Sequence, residues 1–182
     1  SFNIAAGERG TLHPRFVATL LNDLFGVQAR AGCSCAGPYG HHLLGIDDAT
    51  TQSIRSRVLA GDVGARPGWC RVSLHWVMSE AEINYLIDAV CFLAEHAELF
   101  AGFYDHDART GAWKWAGDPV DAQPVWPTSL LQPAGQACPV EADMPEADPE
   151  DRFNAPFRAA RALVRVFREA HLDPRDARLV NA

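Results

Sequence analysis

Residues 69–97 read WCRVSLHWVMSEAEINYLIDAVCFLAEHA, and this stretch decides the fold. Trp69 to Val77 is rich in β-branched and aromatic residues with partial alternation, which predicts a central strand. Ser79 then offers an N-cap, and Glu82 three residues later completes a capping box. Apolar residues follow at helical spacing, namely Ile83, Leu86, Ile87, Val90, Leu93 and Ala97. The stretch therefore predicts a strand that leads directly into a long amphipathic helix.

The residues before this stretch predict two helices and a short strand. Apolar residues recur at helical spacing over residues 14–25, and Gly26 ends the pattern. Residues 27–30 have the composition of a short strand, whereas residues 32–40 are too rich in small residues and Pro for regular structure. A second helix is predicted over residues 49–59, because acidic residues precede it and glycines follow it.

The residues after the stretch predict a hairpin and a final helix. Residues 100–105 and 111–115 flank a turn-prone DHDARTG segment, as the two strands of a hairpin do. Residues 117–150 are rich in Pro, Ala, Gln and acidic residues, which predicts an irregular surface arm. A last helix is predicted over residues 153–171, with an apolar stripe of Phe157, Ala160, Val164 and Phe167.

Strands that alternate with helices, without a long parallel βαβ series, predict an α+β fold in which helices cover a mostly antiparallel sheet. The 182 residues suffice for one domain with a proper core and an additional arm. We expect a domain over residues 1–116, an irregular Pro-rich arm over residues 117–152, and a C-terminal helix and tail over residues 153–182.

The composition is that of an ordinary globular chain, with 48% hydrophobic and 21% charged residues. A formal net charge of -7 works against attraction to phosphate backbones and anionic membranes, so we expect no nucleic-acid or membrane partner. No stretch approaches the roughly 20 apolar residues that span a bilayer, and the start lacks the features of a secretion signal. Five cysteines, an odd number, do not form a disulfide framework. We therefore expect a cytoplasmic protein.

A cysteine-bearing loop follows the first predicted strand and reads RAGCSCAGPYGH over residues 30–41. A thiolate is a strong nucleophile, and a neighbouring positive charge favours that form of a cysteine. The loop is therefore a candidate catalytic site. Two other interpretations stay open: small residues that simply fit a tight turn, or a metal site formed by Cys33, Cys35, His41 and His42. The metal site is disfavoured, because one residue separates the cysteines where zinc sites usually have two to four.

Residues 30–38, RAGCSCAGP, resemble the active-site loop of group II cysteine desulfurases and selenocysteine lyases, which belong to the class V aminotransferase family of pyridoxal-phosphate enzymes. The family pattern reads Arg, any residue, Gly, two variable residues, Cys, Ala, any residue, Pro. Cys35 falls on the nucleophile of this pattern. The other fixed positions are occupied by Arg30, Gly32, Ala36 and Pro38.

Residues 69–83 resemble the last conserved block of the same family, in which a strand arginine precedes a Glu-rich helix start. The resemblance places Arg71 at the arginine that binds the substrate carboxylate, assisted by Arg30. A guanidinium suits this role because it binds a carboxylate through two hydrogen bonds and stays charged. The alternative for Arg71 is an ordinary surface ion pair. The resemblance covers residues 1–97, and the rest is similar to longer class V aminotransferase-like proteins that also carry GCSCAGPYGH.

Two departures from the family pattern shape the expected function. Desulfurases usually carry two histidines before the nucleophile, whereas this chain has Cys33 and Ser34. The family also needs a lysine for the Schiff base and an Asp for the pyridinium nitrogen. The single lysine, Lys114, lies in a Trp-Lys-Trp context after the similar region. We therefore expect that the N-terminal pyridoxal-phosphate domain is missing, so that this chain alone is inactive and binds no cofactor.

The resemblance thus implies the small C-terminal domain of a fold-type I, class V aminotransferase-like enzyme that uses pyridoxal phosphate, acts on an amino acid and forms a homodimer. The chain would supply the cysteine loop and the arginine for the substrate carboxylate. Two alternatives stay open. One is a cysteine desulfurase or selenocysteine lyase proper, in which Cys35 attacks sulfur or selenium. The other is a noncatalytic α+β module that binds a protein partner.

Overall fold

The computed structural model describes residues 1–6, 10–33, 37–116 and 149–169 of the chain. Within these residues the fold is α+β, as predicted, with five α-helices and two separate two-stranded antiparallel sheets. The helices are α1 (Pro14–Phe25), α2 (Gly37–Leu43), α3 (Asp48–Leu59), α4 (Glu80–Phe100) and α5 (Pro149–Glu169). The strands are β1 (Arg30–Gly32), β2 (Trp69–Arg71), β3 (Tyr104–Asp107) and β4 (Ala112–Trp115).

Helix α1 lies at the centre of the core and has the predicted bounds. It begins after His13, whose ring Nδ1 accepts the backbone N–H of Arg15 at 3.1 Å. It ends at Gly26, whose φ of 65° is the left-handed conformation that glycine adopts without strain. The most buried residues of its apolar face are Phe16, Val17, Leu20 and Leu21. Because β1, β2, β4, α4 and α5 all contact α1, this helix sets the position of both sheets.

Strand β2 is central, as predicted, but it is much shorter than predicted. β1 pairs with it on one side, and on the other side Phe2 exchanges two backbone hydrogen bonds of 2.9 Å with Cys70. The prediction that the strand continues to Val77 is wrong. No described residue pairs with the backbone after Arg71, and residues 75–78 form a turn instead. Leu74, Trp76 and Val77 are therefore exposed, whereas Val72 stays partly buried against the core.

The first short strand, predicted over residues 27–30, instead spans Arg30–Gly32. The backbone N–H of Val27 donates to the carbonyl oxygen of Leu21 at 3.0 Å, so Val27 belongs to the C-terminal cap of α1. The predicted loop over residues 32–40 is also wrong in its second half, because α2 begins at Gly37. Pro38 lies in the first turn of α2, where its missing N–H costs no helical hydrogen bond.

Helix α3 is confirmed, and Asp47 caps it by accepting the backbone N–H of Thr50 at 2.7 Å. The capping box of α4 is confirmed as well, with reciprocal bonds between Ser79 and Glu82. The apolar face of α4 differs in part from the prediction, since Ile87 is exposed. Its buried residues are Ala89, Phe92, Leu93, Ala97 and Phe100. Helix α4 carries apolar residues on several sides, and its contacts with α1 and α5 determine which side is buried.

The predicted hairpin is confirmed with shifted bounds, as β3 and β4 pair antiparallel from Tyr104 opposite Trp115 to Asp107 opposite Ala112. The last helix is confirmed too, although α5 begins at Pro149 rather than Phe153. The buried residues of its predicted stripe are Ala160, Val164 and Phe167, with Phe157 partly buried. Most of the predicted arm, residues 117–148, and the predicted helix end at residue 171 lie outside the described residues.

A search of the described helices finds none that is long and apolar enough to cross a membrane.

Candidate anion-binding site

The small sheet places the two predicted substrate arginines opposite each other. In the antiparallel register Arg30 on β1 faces Arg71 on β2. Directly opposed residues project from the same face of a sheet, with Cβ atoms about 4.5–5.5 Å apart. Two like charges at that spacing destabilise the pairing. An anion bound between them would remove this cost, so the geometry favours an anion site on this face.

Both arginines line one cavity of about 350 Å³. Arg71 is half-buried and Arg30 is exposed. The remaining lining residues add polar groups and apolar surface, and they are Gly26, Val27, Gln28, Val72, Ser73, Met78 and Leu86. A cavity of this size with two cations, an amide and a hydroxyl is suited to a small organic anion.

Neither arginine has an anionic partner within the part of the chain that the structure describes. Ion pairs between described residues include Arg57 with Asp62, Arg158 with Asp151, and His96 with Glu95. None of these six residues lines the cavity. The alternative interpretation of Arg71 as one half of a surface ion pair therefore has no described partner to support it.

The opposite face of β2 anchors the site in the core. Cys70 alternates with Trp69 and Arg71 along the strand, so its side chain points the other way, and it is 1% exposed. Burial raises the pKa of the Cys70 thiol to about 11. A thiol that stays protonated is a poor nucleophile. Cys70 is therefore a packing residue of the core.

The predicted cysteine loop begins on the arginine face of the sheet. Trp69 projects from the same face as Arg71, because the two are separated by one residue. A Cβ placed on Gly40 of α2 would lie 3.6 Å from the Trp69 ring and 3.4 Å from the Cys33 Cβ. The Trp69 ring thus packs against the middle of α2. Cys35, the predicted nucleophile, lies outside the described residues.

A close approach of two glycines fixes the start of this loop. A Cβ on Gly68, which precedes β2, would lie 2.5 Å from the Cα of Gly32 and 2.8 Å from its carbonyl oxygen. Gly32 itself has a φ of 125°, a conformation that other residues rarely adopt. Both positions therefore need glycine, and together they hold the end of β1 against the start of β2.

The described residues do not provide the lysine that pyridoxal phosphate requires. Lys114 is exposed on β4, where it stands opposite Asp105 in the hairpin register. It does not line the cavity of Arg30 and Arg71. Opposite charges in facing positions stabilise a strand pair, which is a sufficient structural role for Lys114. The described residues therefore do not place a lysine beside the cavity of Arg30 and Arg71, where a Schiff base would need one.

The described residues also contain no group of three or more His, Cys, Asp or Glu side chains that could hold a metal ion. His41, one of the four residues weighed for a metal site, instead has its Nδ1 2.9 Å from the hydroxyl of Thr51. That contact joins α2 to α3.

A buried histidine that sequence reasoning missed fixes the segment before β2. His13 is 3% exposed, and because its Nδ1 accepts from Arg15, the proton lies on Nε2, which donates to the Gly64 carbonyl oxygen at 2.9 Å. The rings of His106 and Trp113 pack against it at centroid distances of 5.5 and 5.8 Å. Burial lowers the pKa of His13 to about 4. In the sequence, the position of His13 directly before Pro14 was the one sign of a role at the start of α1. Its partners Gly64, His106 and Trp113 could not be inferred, because they lie far away in the chain.

Comparisons of the chain with protein-family models, with curated proteins and with solved structures give no match. Function is therefore inferred from the residues and their geometry.

Proposed function

We propose that the cavity between β1 and β2 binds the carboxylate of an amino-acid substrate, with Arg71 as the main ligand and Arg30 beside it. The observation that carries this proposal is the register of the sheet, which sets two arginines opposite each other in one cavity. The half-buried Arg71 is the stronger candidate, because hydrogen bonds to a charged group gain strength as water is excluded. Gln28 and Ser73 line the same cavity and would orient the rest of the ligand.

In the wider proposal the chain is the substrate-binding part of a class V aminotransferase-like enzyme, which is a homodimer in its complete form. The support is the resemblance of residues 30–38 and 69–83 to that family. Pyridoxal phosphate supplies the electron sink for amino-group chemistry in such enzymes. Because Lys114 does not fit the cofactor, pyridoxal phosphate would be held by polypeptide outside these 182 residues. The task of this chain would be to bind and orient the carboxylate.

A titration with two matched ligands tests the carboxylate site. N-acetyl-L-alanine carries a carboxylate, and N-acetyl-L-alaninamide has the same skeleton without the charge. The acid should shift the NMR signals of residues around Arg71 in a saturable manner, whereas the amide should not. Hydrogen bonds to charged groups contribute about 1.5–3 kcal/mol, so Arg71→Gln should weaken binding of the acid by about tenfold or more.

The matched control is Arg55→Gln, because Arg55 is exposed on α3 and does not line the cavity. This variant should bind the acid as the wild type does. Equal binding of acid and amide, or unchanged binding by Arg71→Gln, would remove the carboxylate assignment.

The desulfurase alternative is favoured by one observation, the start of the cysteine loop on the arginine face. It gives Cys35 the role of nucleophile, with Arg30 close in the chain to favour the thiolate. Labelling with iodoacetamide at several pH values, followed by mass spectrometry, measures this directly. Cys35 should react at lower pH than the exposed Cys91. The same pH dependence for both cysteines would argue against an activated Cys35 and for the aminotransferase reaction.

A further inference from the structure

The segment between β2 and α4 forms a turn that is fixed by its own hydrogen bonds. The backbone N–H of Met78 donates to the carbonyl oxygen of His75 at 3.0 Å. The N–H of Val77 donates to Nδ1 of the His75 ring at 3.2 Å, and the N–H of His75 lies 3.3 Å from the Met78 sulfur. Two hydrogen bonds and one sulfur contact within four residues thus favour this turn conformation.

This turn presents apolar side chains to solvent. Trp76 is 89% exposed, Val77 is 65% exposed and Leu74, just before the turn, is 62% exposed. The Trp76 ring rests beside the His75 ring at a centroid distance of 5.7 Å. Large apolar side chains held outward in a fixed turn form a preorganised contact surface, and Trp is prominent among residues that dominate binding energy.

The turn is flanked by two residues of the anion cavity. Ser73 and Met78, which flank residues 74–77, both line the cavity that contains Arg30 and Arg71. The exposed apolar surface is therefore attached to the cavity wall at both of its ends. Residues 73–78 carry no carboxylate that could neutralise the arginines. The cationic cavity and the exposed apolar turn are thus neighbours, joined through Ser73 and Met78.

We propose that this site selects carboxylates that bear an aromatic or branched aliphatic group, which packs on Leu74 and Trp76 while the carboxylate binds Arg30 and Arg71. This inference rests on the proposed carboxylate site and names its substrate class. A cavity of about 350 Å³ is at the small end of the range for small-molecule sites. In this arrangement the carboxylate occupies the cavity, and the apolar group of the ligand extends over the exposed turn.

Two acids that differ in their apolar group test this inference on the full chain. NMR titrations compare acetate with 3-phenylpropionate, and 3-phenylpropanamide serves as the ligand without charge. The wild type should bind 3-phenylpropionate about tenfold more tightly than acetate, which corresponds to partial burial of one phenyl ring. Trp76→Ala should reduce this preference to about twofold or less without changing the affinity for acetate, and Trp76→Phe should restore most of it.

Leu59→Ala is the matched control, because Leu59 is equally an exposed apolar side chain but lies on α3, outside the cavity lining. It should leave the preference unchanged. A preference that persists in Trp76→Ala overturns this inference, while weaker binding of both acids by Arg71→Gln still supports the carboxylate site. Failure of the wild type to bind either acid overturns both. A dimer that Trp76→Ala dissociates also overturns the inference, because Trp76 would then be covered by a second copy.

Discussion

Lowering the pH from 7 to 5 should destabilise this chain by about 2 kcal/mol through His13. The ring is 3% exposed and neutral, with Nδ1 accepting from Arg15 and Nε2 donating to Gly64. Burial is the main cause that lowers its pKa from 6.5 to about 4, and the nearby His106 and Arg15 act in the same direction. The hydrogen bond to the Gly64 carbonyl oxygen opposes this lowering of the pKa, and the carboxylate of Asp62 opposes it more weakly. Protonation of Nδ1 would also remove the acceptor that caps α1.

The sign follows from the two pKa values. Between pH 6.5 and pH 4 the unfolded chain binds a proton at His13 that the folded chain does not, so stability falls as the pH falls. The contribution is fully present above pH 6.5 and lost below about pH 4. At about 1.4 kcal/mol for each pKa unit, the whole difference is about 3 kcal/mol, of which about 2 kcal/mol falls between pH 7 and pH 5.

Urea unfolding at pH 7, 6 and 5 measures this contribution against His13→Asn. Asparagine keeps a cap acceptor for the Arg15 N–H but does not titrate. The wild type should lose about 2 kcal/mol more than the variant between pH 7 and pH 5. Parallel losses would refute the reasoning. If His13→Asn does not fold, the pKa of the His13 ring can instead be measured by NMR titration of the wild type. A pKa near 6.5 would contradict the reasoning.

Three further predictions concern stability and thiol reactivity. Gly68→Ala should destabilise the chain by about 1–3 kcal/mol in thermal unfolding, because the added Cβ would meet the backbone of Gly32 in β1. Gly37→Ala is the control and should not destabilise the chain, because the space around Gly37 is open. Ser79→Ala should cost about 1 kcal/mol by removing the cap of α4, and a loss below about 0.3 kcal/mol in urea unfolding would contradict that. Cys91 should react with iodoacetamide in the native chain, while Cys70 should react only in denaturant; mass spectrometry distinguishes the two.

Helices whose ends are encoded locally were predictable from the sequence. The capping box of Ser79 and Glu82 and the glycine after Phe25 act over a few residues, so α4 and α1 have the predicted starts and α1 its predicted end. The buried face of α4 was less predictable. Several of its sides are apolar, and packing against α1 and α5 decides that Ile87 is exposed.

Features set by distant contacts could not be predicted. The strand after Arg71 ends because no neighbouring backbone continues beside it, and composition carries no information about such a neighbour. His13 and its hydrogen-bond partner Gly64 are 51 residues apart, and His106 lies farther still along the chain. The arginine pair was proposed from a motif, while its register and shared cavity come from the structure.

The pairing of Phe2 with Cys70 has a consequence for synthesis of the chain. Phe2 leaves the ribosome well before its partner, and at roughly 5–20 residues per second the delay amounts to several seconds. During that time the segment of Phe2 and Ile4, in which Ile4 is buried and Phe2 partly buried in the finished fold, can pair with residues 10–12 but lacks β2 as a partner. Nascent chains of this protein should therefore offer that segment to chaperones until β2 emerges.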